Sequence, residues 1–120
     1  MALADTRFSD RRRKLAAELA GQRIDAVLVT HLTHVRYLSG FTGSNGALLV
    51  SKDRSAKIAT DGRYTTQIGE EVPDIPATIE RRVAAALLET AKDGHRVGYE
   101  ADYLSVAELE KLREVCPEGV

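Results

Sequence analysis

The amino-acid sequence predicts an α/β fold with a mixed β-sheet. Short apolar segments rich in β-branched residues alternate with segments of helical periodicity along the whole chain. Two of the short segments, residues 47–51 and 56–60, are separated by four polar residues, which predicts an antiparallel hairpin. The 120 residues are enough for one domain with its own hydrophobic core.

The first part of the chain predicts a helix, a strand and a short helix. Ser9 is the predicted N-cap of a helix from Asp10 to Ala20, and Gly21 is its predicted stop. Residues 24–30 form an apolar run that is typical of a buried strand. Residues 32–38 then predict one or two helical turns that lead into a glycine-rich loop.

The rest of the chain continues the alternation beyond the hairpin. The predicted elements are, in order, a helix from near residue 63 to before residue 73, a strand at 78–80, a helix at 82–92 closed by Gly94, a strand at 96–99 and a helix that ends near residue 115. Ser105 and Glu108 have the spacing of a capping box, which predicts the start of that last helix.

The composition favours a cytoplasmic protein without nucleic-acid or membrane partners. The formal net charge is −1, only 5% of the residues are aromatic and there is no tryptophan, so a basic surface and base-stacking platforms are not expected. No segment has the length of a transmembrane helix or the apolar core of a signal peptide. Cys116 is the single cysteine, which excludes an intrachain disulfide and predicts an inert thiol.

Three glycines at a spacing of three, Gly40, Gly43 and Gly46, mark a loop directly before the strand at 47–51. Their spacing matches neither the dinucleotide-binding pattern nor the phosphate-binding loop, and this loop leads into a strand rather than a helix N-terminus. The residues alone leave two interpretations open. One is a tight turn that packs closely on a neighbour, which is favoured, and the other is a ligand-binding loop.

A second polar turn, Asp61-Gly62-Arg63-Tyr64, follows the strand at 56–60. The planar guanidinium of Arg63 is suited to binding a carboxylate. Alternatively, Asp61 caps the following helix and Arg63 is solvated on its first turn. Because polar turns at the ends of neighbouring strands commonly carry functional residues, both turns are candidate sites.

The other titratable residues do not form a complete catalytic set. His31 and His34 share one face of a helical turn, but no third metal ligand is evident, and a surface or hydrogen-bonded pair is favoured. The basic run at residues 11–14 and the acidic residues at 70, 71 and 74 are predicted to be solvated. No nucleophile with its base accompanies the glycine loop, so a stand-alone enzyme is disfavoured.

Three segments together resemble the N-terminal domain of Xaa-Pro aminopeptidases and Xaa-Pro dipeptidases (prolidases), which creatinase shares. They are Asp25–Thr30, Val35–Gly46 and Thr60–Tyr64, and their order and spacing match that family from about Phe8 to Val120. The resemblance implies a three-layer α/β/α domain with a ribonuclease H-like mixed sheet. It implies that residues 1–120 form a single N-terminal domain, and that a catalytic domain of pita-bread fold lies outside this chain.

In that family the catalytic domain holds two divalent metal ions, often manganese, which activate a water to hydrolyse the bond before proline. The resemblance therefore implies a non-catalytic domain, without a metal or cofactor of its own, that contributes to oligomerisation and shapes the substrate entrance. The implied partners are its own C-terminal catalytic domain, a second copy in a homodimer and a proline-containing peptide. Residues 118–120 resemble the turn into a further strand, as expected for part of a longer protein.

The resemblance also assigns candidate roles to individual residues. The candidate substrate-entrance residues are Ser44, Asn45, Asp61, Arg63 and Tyr64, and the candidate turn glycines are Gly40, Gly43, Gly46 and Gly62. Creatinase presents an arginine to its substrate carboxylate where Ser44 stands in this chain, which disfavours creatine hydrolysis. Two alternatives stay open: a non-catalytic binding or interaction module built on the same fold, and a natural stand-alone domain.

Overall fold

A five-stranded mixed sheet forms the centre of the computed structural model, which describes residues 6–92 and 94–120. The strands are β1 (Ala26–Val29), β2 (Ala47–Ser51), β3 (Ala56–Thr60), β4 (Ala77–Ile79) and β5 (Val97–Tyr99). Their order across the sheet is β4-β3-β2-β1-β5. β2 runs antiparallel to β1 and β3, whereas β4 runs parallel to β3 and β5 parallel to β1. The predicted mixed sheet and its β2–β3 hairpin are therefore confirmed.

Helices cover both faces of this sheet within the described ranges. They are α1 (Arg7–Gly21), α2 (Leu32–Ser39), α3 (Thr65–Glu71), α4 (Val83–Leu88) and α5 (Val106–Val115), with a 3₁₀ turn over Gly62–Tyr64. The first three helices pack on one face, and α4 and α5 pack on the other. The described chain is thus a three-layer α/β/α domain, and each of its helices is too short or too polar to traverse a lipid bilayer.

The central strand β2 supplies side chains to both hydrophobic cores. Leu48 and Val50 point into the core under α1, α2 and α3, whereas Ala47 and Leu49 point into the core under α4 and α5. Because successive side chains of a strand lie on opposite faces, burying both faces requires a continuous apolar run. This requirement explains why the segment lacks the apolar–polar alternation of a half-exposed strand.

The N-terminal boundary of α1 differs from the prediction. The helix begins at Arg7, and Thr6 occupies the N-cap position without a side-chain cap bond. Ser9 lies inside the first turn, where its hydroxyl donates to the Thr6 carbonyl at 3.1 Å, so its predicted role as N-cap is wrong. Gly21 is the last helical residue rather than the stop, and the chain leaves through Arg23 at a φ of 59°.

The C-terminal boundary of α4 is also earlier than predicted. The helix ends at Leu88 rather than Lys92. The Thr90 hydroxyl donates to the Leu87 carbonyl at 2.6 Å, which satisfies one of the terminal carbonyls and helps end the helix. Gly94, at a φ of +77°, lies in a later turn and does not close α4.

The start of α5 confirms the capping box. The Glu108 N–H donates to the Ser105 hydroxyl at 3.1 Å, and the Ser105 N–H donates to the Glu108 carboxylate at 3.2 Å. These reciprocal bonds satisfy two donors at the helix start.

One residue of the basic run is buried, contrary to the prediction of a solvated face. Arg12 is 6% exposed because it lies on the inward face of α1 with Ala16 and Leu19. Its guanidinium donates to the Leu38 carbonyl at 2.8 Å and pairs with Asp74. Arg12 therefore ties α1 to the end of α2 and to the segment after α3, and Asp74 is not merely solvated.

Candidate functional site

Both polar turns lie at the same end of the sheet. The glycine loop, residues 40–46, enters β2, and Asp61 directly follows β3. Ala47 at the start of β2 is paired with Ala59 near the end of β3, because the two strands run antiparallel. The topology therefore brings together two turns that are separated in sequence by the whole β2–β3 hairpin.

Close packing on the ring of Phe41 shapes the glycine loop. Phe41 is 1% exposed, and a Cβ built on Gly43 would lie 2.3 Å from its ring. A Cβ on Gly46 would lie 3.0 Å from the same ring. Gly40 has a φ of +84° and ends α2 in the left-handed conformation that glycine adopts readily. Gly43 and Gly46 therefore pack closely on the ring of Phe41, which belongs to the loop itself.

Side-chain hydrogen bonds join the two turns directly. The hydroxyls of Ser44 and Tyr64 are 2.5 Å apart, and Asn45 donates from Nδ2 to the Asp61 carboxylate at 2.9 Å. The Asn45 carbonyl in turn accepts from the Thr60 hydroxyl at 2.6 Å. The structure thus brings four of the five candidate entrance residues together as two hydrogen-bonded pairs, each of which joins the two turns.

Asp61 binds the fifth, Arg63, through both of its oxygens. The Arg63 Nε donates to Oδ1 at 2.9 Å and Nη2 donates to Oδ2 at 2.8 Å. Oδ1 also accepts from the Arg63 N–H at 3.0 Å, so Asp61 caps the 3₁₀ turn as one interpretation predicted. The predicted solvation of Arg63 is only partly right, since its side chain is 66% exposed but its planar fork is occupied by Asp61.

These contacts fix the charge state of the pair. The Arg63 side chain, and then Asn45, hold the pKa of Asp61 far below its usual range, and Asp61 raises the pKa of Arg63. Asp61 is therefore ionised at neutral pH, where a general acid or base would need a pKa nearer the working pH. The pair is suited to hydrogen bonding and orientation rather than to proton transfer.

Tyr64 connects the site to the hydrophobic core. Its ring meets the Phe41 ring edge-on, with ring centres 5.6 Å apart, and the hydrogen bond with Ser44 lowers the pKa of its hydroxyl. Gly62 lies in the 3₁₀ turn beside it, where a Cβ would meet no atom within 4 Å. Packing therefore requires glycine at position 43 but not at position 62.

A wide polar groove of about 800 Å³ opens beside the two turns. Its lining residues are Asn45, Asp61, Gly62, Arg63, Ile79, Glu80 and Arg81. Ile79 ends the edge strand β4 and is 44% exposed. The groove thus offers hydrogen-bonding groups and one apolar side chain to a ligand, and a volume in the range of small-ligand sites.

A third group of residues holds the glycine loop and was missed by the sequence reasoning. The Glu71 carboxylate accepts from the Thr42 N–H at 2.9 Å, and Gln67 donates to the Thr42 hydroxyl at 3.0 Å. Glu71 is therefore not simply solvated as predicted. The sequence carried no local signal for this contact, because Thr42 and Glu71 are 29 positions apart.

The histidine pair is hydrogen-bonded, as predicted. The rings of His31 and His34 stack with centres 4.6 Å apart, and the ring Nδ1 of His34 contacts the Glu100 carboxylate. The Nδ1 of His31 accepts from the Thr33 N–H at 3.2 Å, which caps α2. In the described ranges, no three His, Cys, Asp or Glu side chains are placed to hold a metal ion.

The fold and the sequence together identify the family. The family model of the creatinase/prolidase N-terminal domain matches residues 11–120, and the chain belongs to that family. Its sheet and helices also superimpose on solved members, which confirms the expected fold.

Two solved structures and one curated relative illustrate the similarity. The N-terminal, creatinase/prolidase-like domain of a Corynebacterium diphtheriae protein is 61% identical with a TM-score of 0.94, over 96% of this chain and 93% of that one. The N-terminal domain of the cytoplasmic peptidase PepQ from Mycobacterium tuberculosis H37Rv is 44% identical with a TM-score of 0.84, over 88% and 84% of the respective chains. A protein named probable Xaa-Pro aminopeptidase P from Pyricularia oryzae is 34% identical over 89 residues, which cover 65% of this chain.

The curated relatives are much longer than the matching region. The aligned region spans 13% of the length of the Pyricularia oryzae protein and 14% of the length of a second curated relative. The similarity therefore concerns one N-terminal domain.

Proposed function

We propose that this chain is the non-catalytic N-terminal domain of a metal-dependent peptidase that hydrolyses the bond before proline, and that its two turns form one wall of the substrate entrance. The observation that carries the entrance role is the direct bonding of Ser44 to Tyr64 and of Asn45 to Asp61 beside a polar groove. The similarity to N-terminal domains of peptidases, and to a relative named for Xaa-Pro cleavage, supports the reaction class.

In this proposal the catalytic domain supplies the metal ions and the reacting water, and the residues described above supply orientation. The Asp61–Arg63 pair is internally neutralised and rigidly hydrogen-bonded. Because the side chains of this wall are already held in place, they need little reordering when a peptide binds, which lowers the entropic cost of binding. The Arg63 edges that Asp61 leaves free, together with Asn45, are the groups offered to the peptide backbone.

We further propose that the whole protein is a cytoplasmic homodimer. The location is supported by the similarity to PepQ, which is named as a cytoplasmic peptidase. The dimer follows from the family resemblance, and light scattering of the full-length protein measures it. A monomer at micromolar concentration would contradict the proposed oligomer and leave the peptidase assignment intact.

The peptidase assignment is tested with the full-length protein encoded by the gene. We expect hydrolysis of Xaa-Pro peptides that stops with a chelator and returns with manganese, and no hydrolysis of matched peptides with alanine in place of proline. The gene should encode a further domain with Asp, His and Glu ligands. A full-length protein that ends at Val120, or that cleaves no Xaa-Pro peptide with any divalent metal, would contradict the assignment.

Replacing Arg63 by alanine tests the entrance role within that enzyme. We expect kcat/KM for an Xaa-Pro peptide to fall by about tenfold, because a charged hydrogen-bond donor is removed from the groove. The matched control is Arg82→Ala, which removes the same charge from a nearby exposed position outside the groove lining. Equal kcat/KM for the two variants, at temperatures where both are folded, would exclude a substrate role for Arg63.

A further inference from the structure

A hydrogen-bonded clamp, formed by Thr42, Gln67 and Glu71, holds the glycine loop at a point separate from the bonds of Ser44 and Asn45. The Glu71 carboxylate accepts from the Thr42 N–H at 2.9 Å and from the Thr42 hydroxyl at 2.8 Å. Gln67 Nε2 donates to the Thr42 hydroxyl at 3.0 Å and to Glu71 at 3.2 Å. Each of the three residues therefore bonds to the other two, and the clamp is closed.

One continuous segment connects this clamp to the second turn. The 3₁₀ turn Gly62–Tyr64 leads directly into α3, Thr65–Glu71, whose last residue belongs to the clamp. Asp61, which caps this segment, accepts from Asn45, and Tyr64 near its start bonds to Ser44. At its end, Glu71 accepts from Thr42. A single rigid element thus holds the loop at two separate points, which fixes its position relative to the second turn.

The charge of Glu71 strengthens the clamp. Burial raises the pKa of Glu71, but the hydrogen bonds from Thr42 and Gln67 outweigh it, so the pKa is lowered from its usual value. The carboxylate is therefore ionised at neutral pH, and its hydrogen bonds are charge-assisted. Glu70, the preceding acidic residue, is exposed and has no side-chain bond to any part of the chain that the structure describes.

We propose that Glu71 is a positioning residue of the substrate entrance: it holds Ser44 and Asn45 in place through Thr42, without touching the substrate. This inference rests on the proposed function of the two turns. Exposed hydrogen bonds of this kind add little to global stability. Their effect is on geometry, and a misplacement of about 1 Å in a substrate-orienting group can cost roughly 100-fold in rate.

The test compares Glu71→Ala, Glu71→Gln and Glu70→Ala in the full-length protein with an Xaa-Pro peptide. We expect kcat/KM of Glu71→Ala to fall by about tenfold, mainly through KM, because the entrance contacts the substrate away from the scissile bond. Glu71→Gln should recover most of the loss, since its amide oxygen accepts from the Thr42 N–H. Glu70→Ala, the control for charge and helix position, should match the wild type.

A double-mutant cycle with Tyr64→Phe separates positioning from a merely local contact. Glu71 and Tyr64 bond to different residues of the same loop, so their effects on KM should be coupled if the loop moves as one unit. If the wild-type enzyme is active, additive effects of the two substitutions on KM, or an unchanged KM in Glu71→Ala, would overturn the inference. A wild-type protein without Xaa-Pro hydrolysis would instead refute the proposed function, and this inference with it.

Discussion

Replacing Gly43 by valine is expected to lower the free energy of unfolding by about 3 kcal/mol and the Tm by roughly 10 °C. A Cβ at this position would lie 2.3 Å from the Phe41 Cζ and 2.8 Å from its Cε2. The ring is 1% exposed and meets the Tyr64 ring edge-on, so moving it disturbs a close-packed core. The alternative, a shift of the loop, strains the hydrogen bonds that join the two turns.

The neighbouring turn offers a matched control for this substitution. Gly62→Ala should leave the Tm nearly unchanged, because its Cβ would meet no atom within 4 Å and its φ lies outside the left-handed region. Gly43→Ala should fall between the two, since it adds a single carbon to the contact with Phe41. Thermal and urea unfolding of all three variants provide the measurement. A Tm of Gly43→Val within about 2 °C of the wild type would show that the loop is not closely packed.

The sheet could be predicted well because its signals are local. The β2–β3 hairpin follows from two apolar runs separated by a short polar loop, and the capping box at Ser105 and Glu108 is a pattern of four residues. Helix ends were less predictable, because hydroxyls such as those of Ser9 and Thr90 bond to backbone carbonyls that the sequence pattern does not specify. The same uncertainty applies wherever two nearby groups compete for one carbonyl.

At Arg12, the residue type and the helical periodicity lead to opposite predictions of burial. Its spacing from Ala16 and Leu19 places all three on one face of α1, so periodicity alone indicates burial. Arginine is nevertheless rarely buried without a partner, and its partner Asp74 is 62 positions away. Burial of this guanidinium therefore depends on a tertiary contact that the sequence does not reveal.

The candidate site was predictable in outline but not in its internal bonding. The antiparallel hairpin brings the two turns together, and the resemblance indicates which of their residues to consider. Neither the hairpin nor the resemblance specifies that the Arg63 guanidinium binds Asp61, because this bond depends on the rotamers of the two side chains. This bonding limits Arg63 to its remaining edges when it contacts a peptide.

Replacing Glu100 by alanine is expected to lower the free energy of unfolding by about 2 kcal/mol, because two backbone donors lose their acceptor. Glu100 follows β5, and its Oε1 accepts from the N–H groups of Thr30 at 2.6 Å and His31 at 2.8 Å. Its other oxygen contacts His34, and the side chain is only 15% exposed. The carboxylate thereby joins the ends of β1 and β5 to the start of α2.

Glu100→Gln separates the charge of this carboxylate from its role as an acceptor. The amide oxygen can still accept from the Thr30 and His31 N–H groups, so we expect a smaller loss of stability than in Glu100→Ala. Thermal unfolding of the wild type and both variants measures the two contributions. Equal Tm values for the wild type and Glu100→Ala would show that water replaces the carboxylate at no cost.

The pH dependence of the Tm of these variants shows how much the negative charge of Glu100 contributes to stability. Burial raises the pKa of Glu100, but the hydrogen bonds from His31, His34 and Thr30 outweigh it, so the folded-state pKa is lowered from 4.5. A lowered folded-state pKa contributes stability above the unfolded value, and this contribution is lost as the pH falls through the folded value. The Tm difference between the wild type and Glu100→Gln should therefore be similar at pH 5 and pH 7, and should shrink below about pH 4. A difference that persists unchanged at pH 2 would mean that the carboxylate acts through its shape and not through its charge.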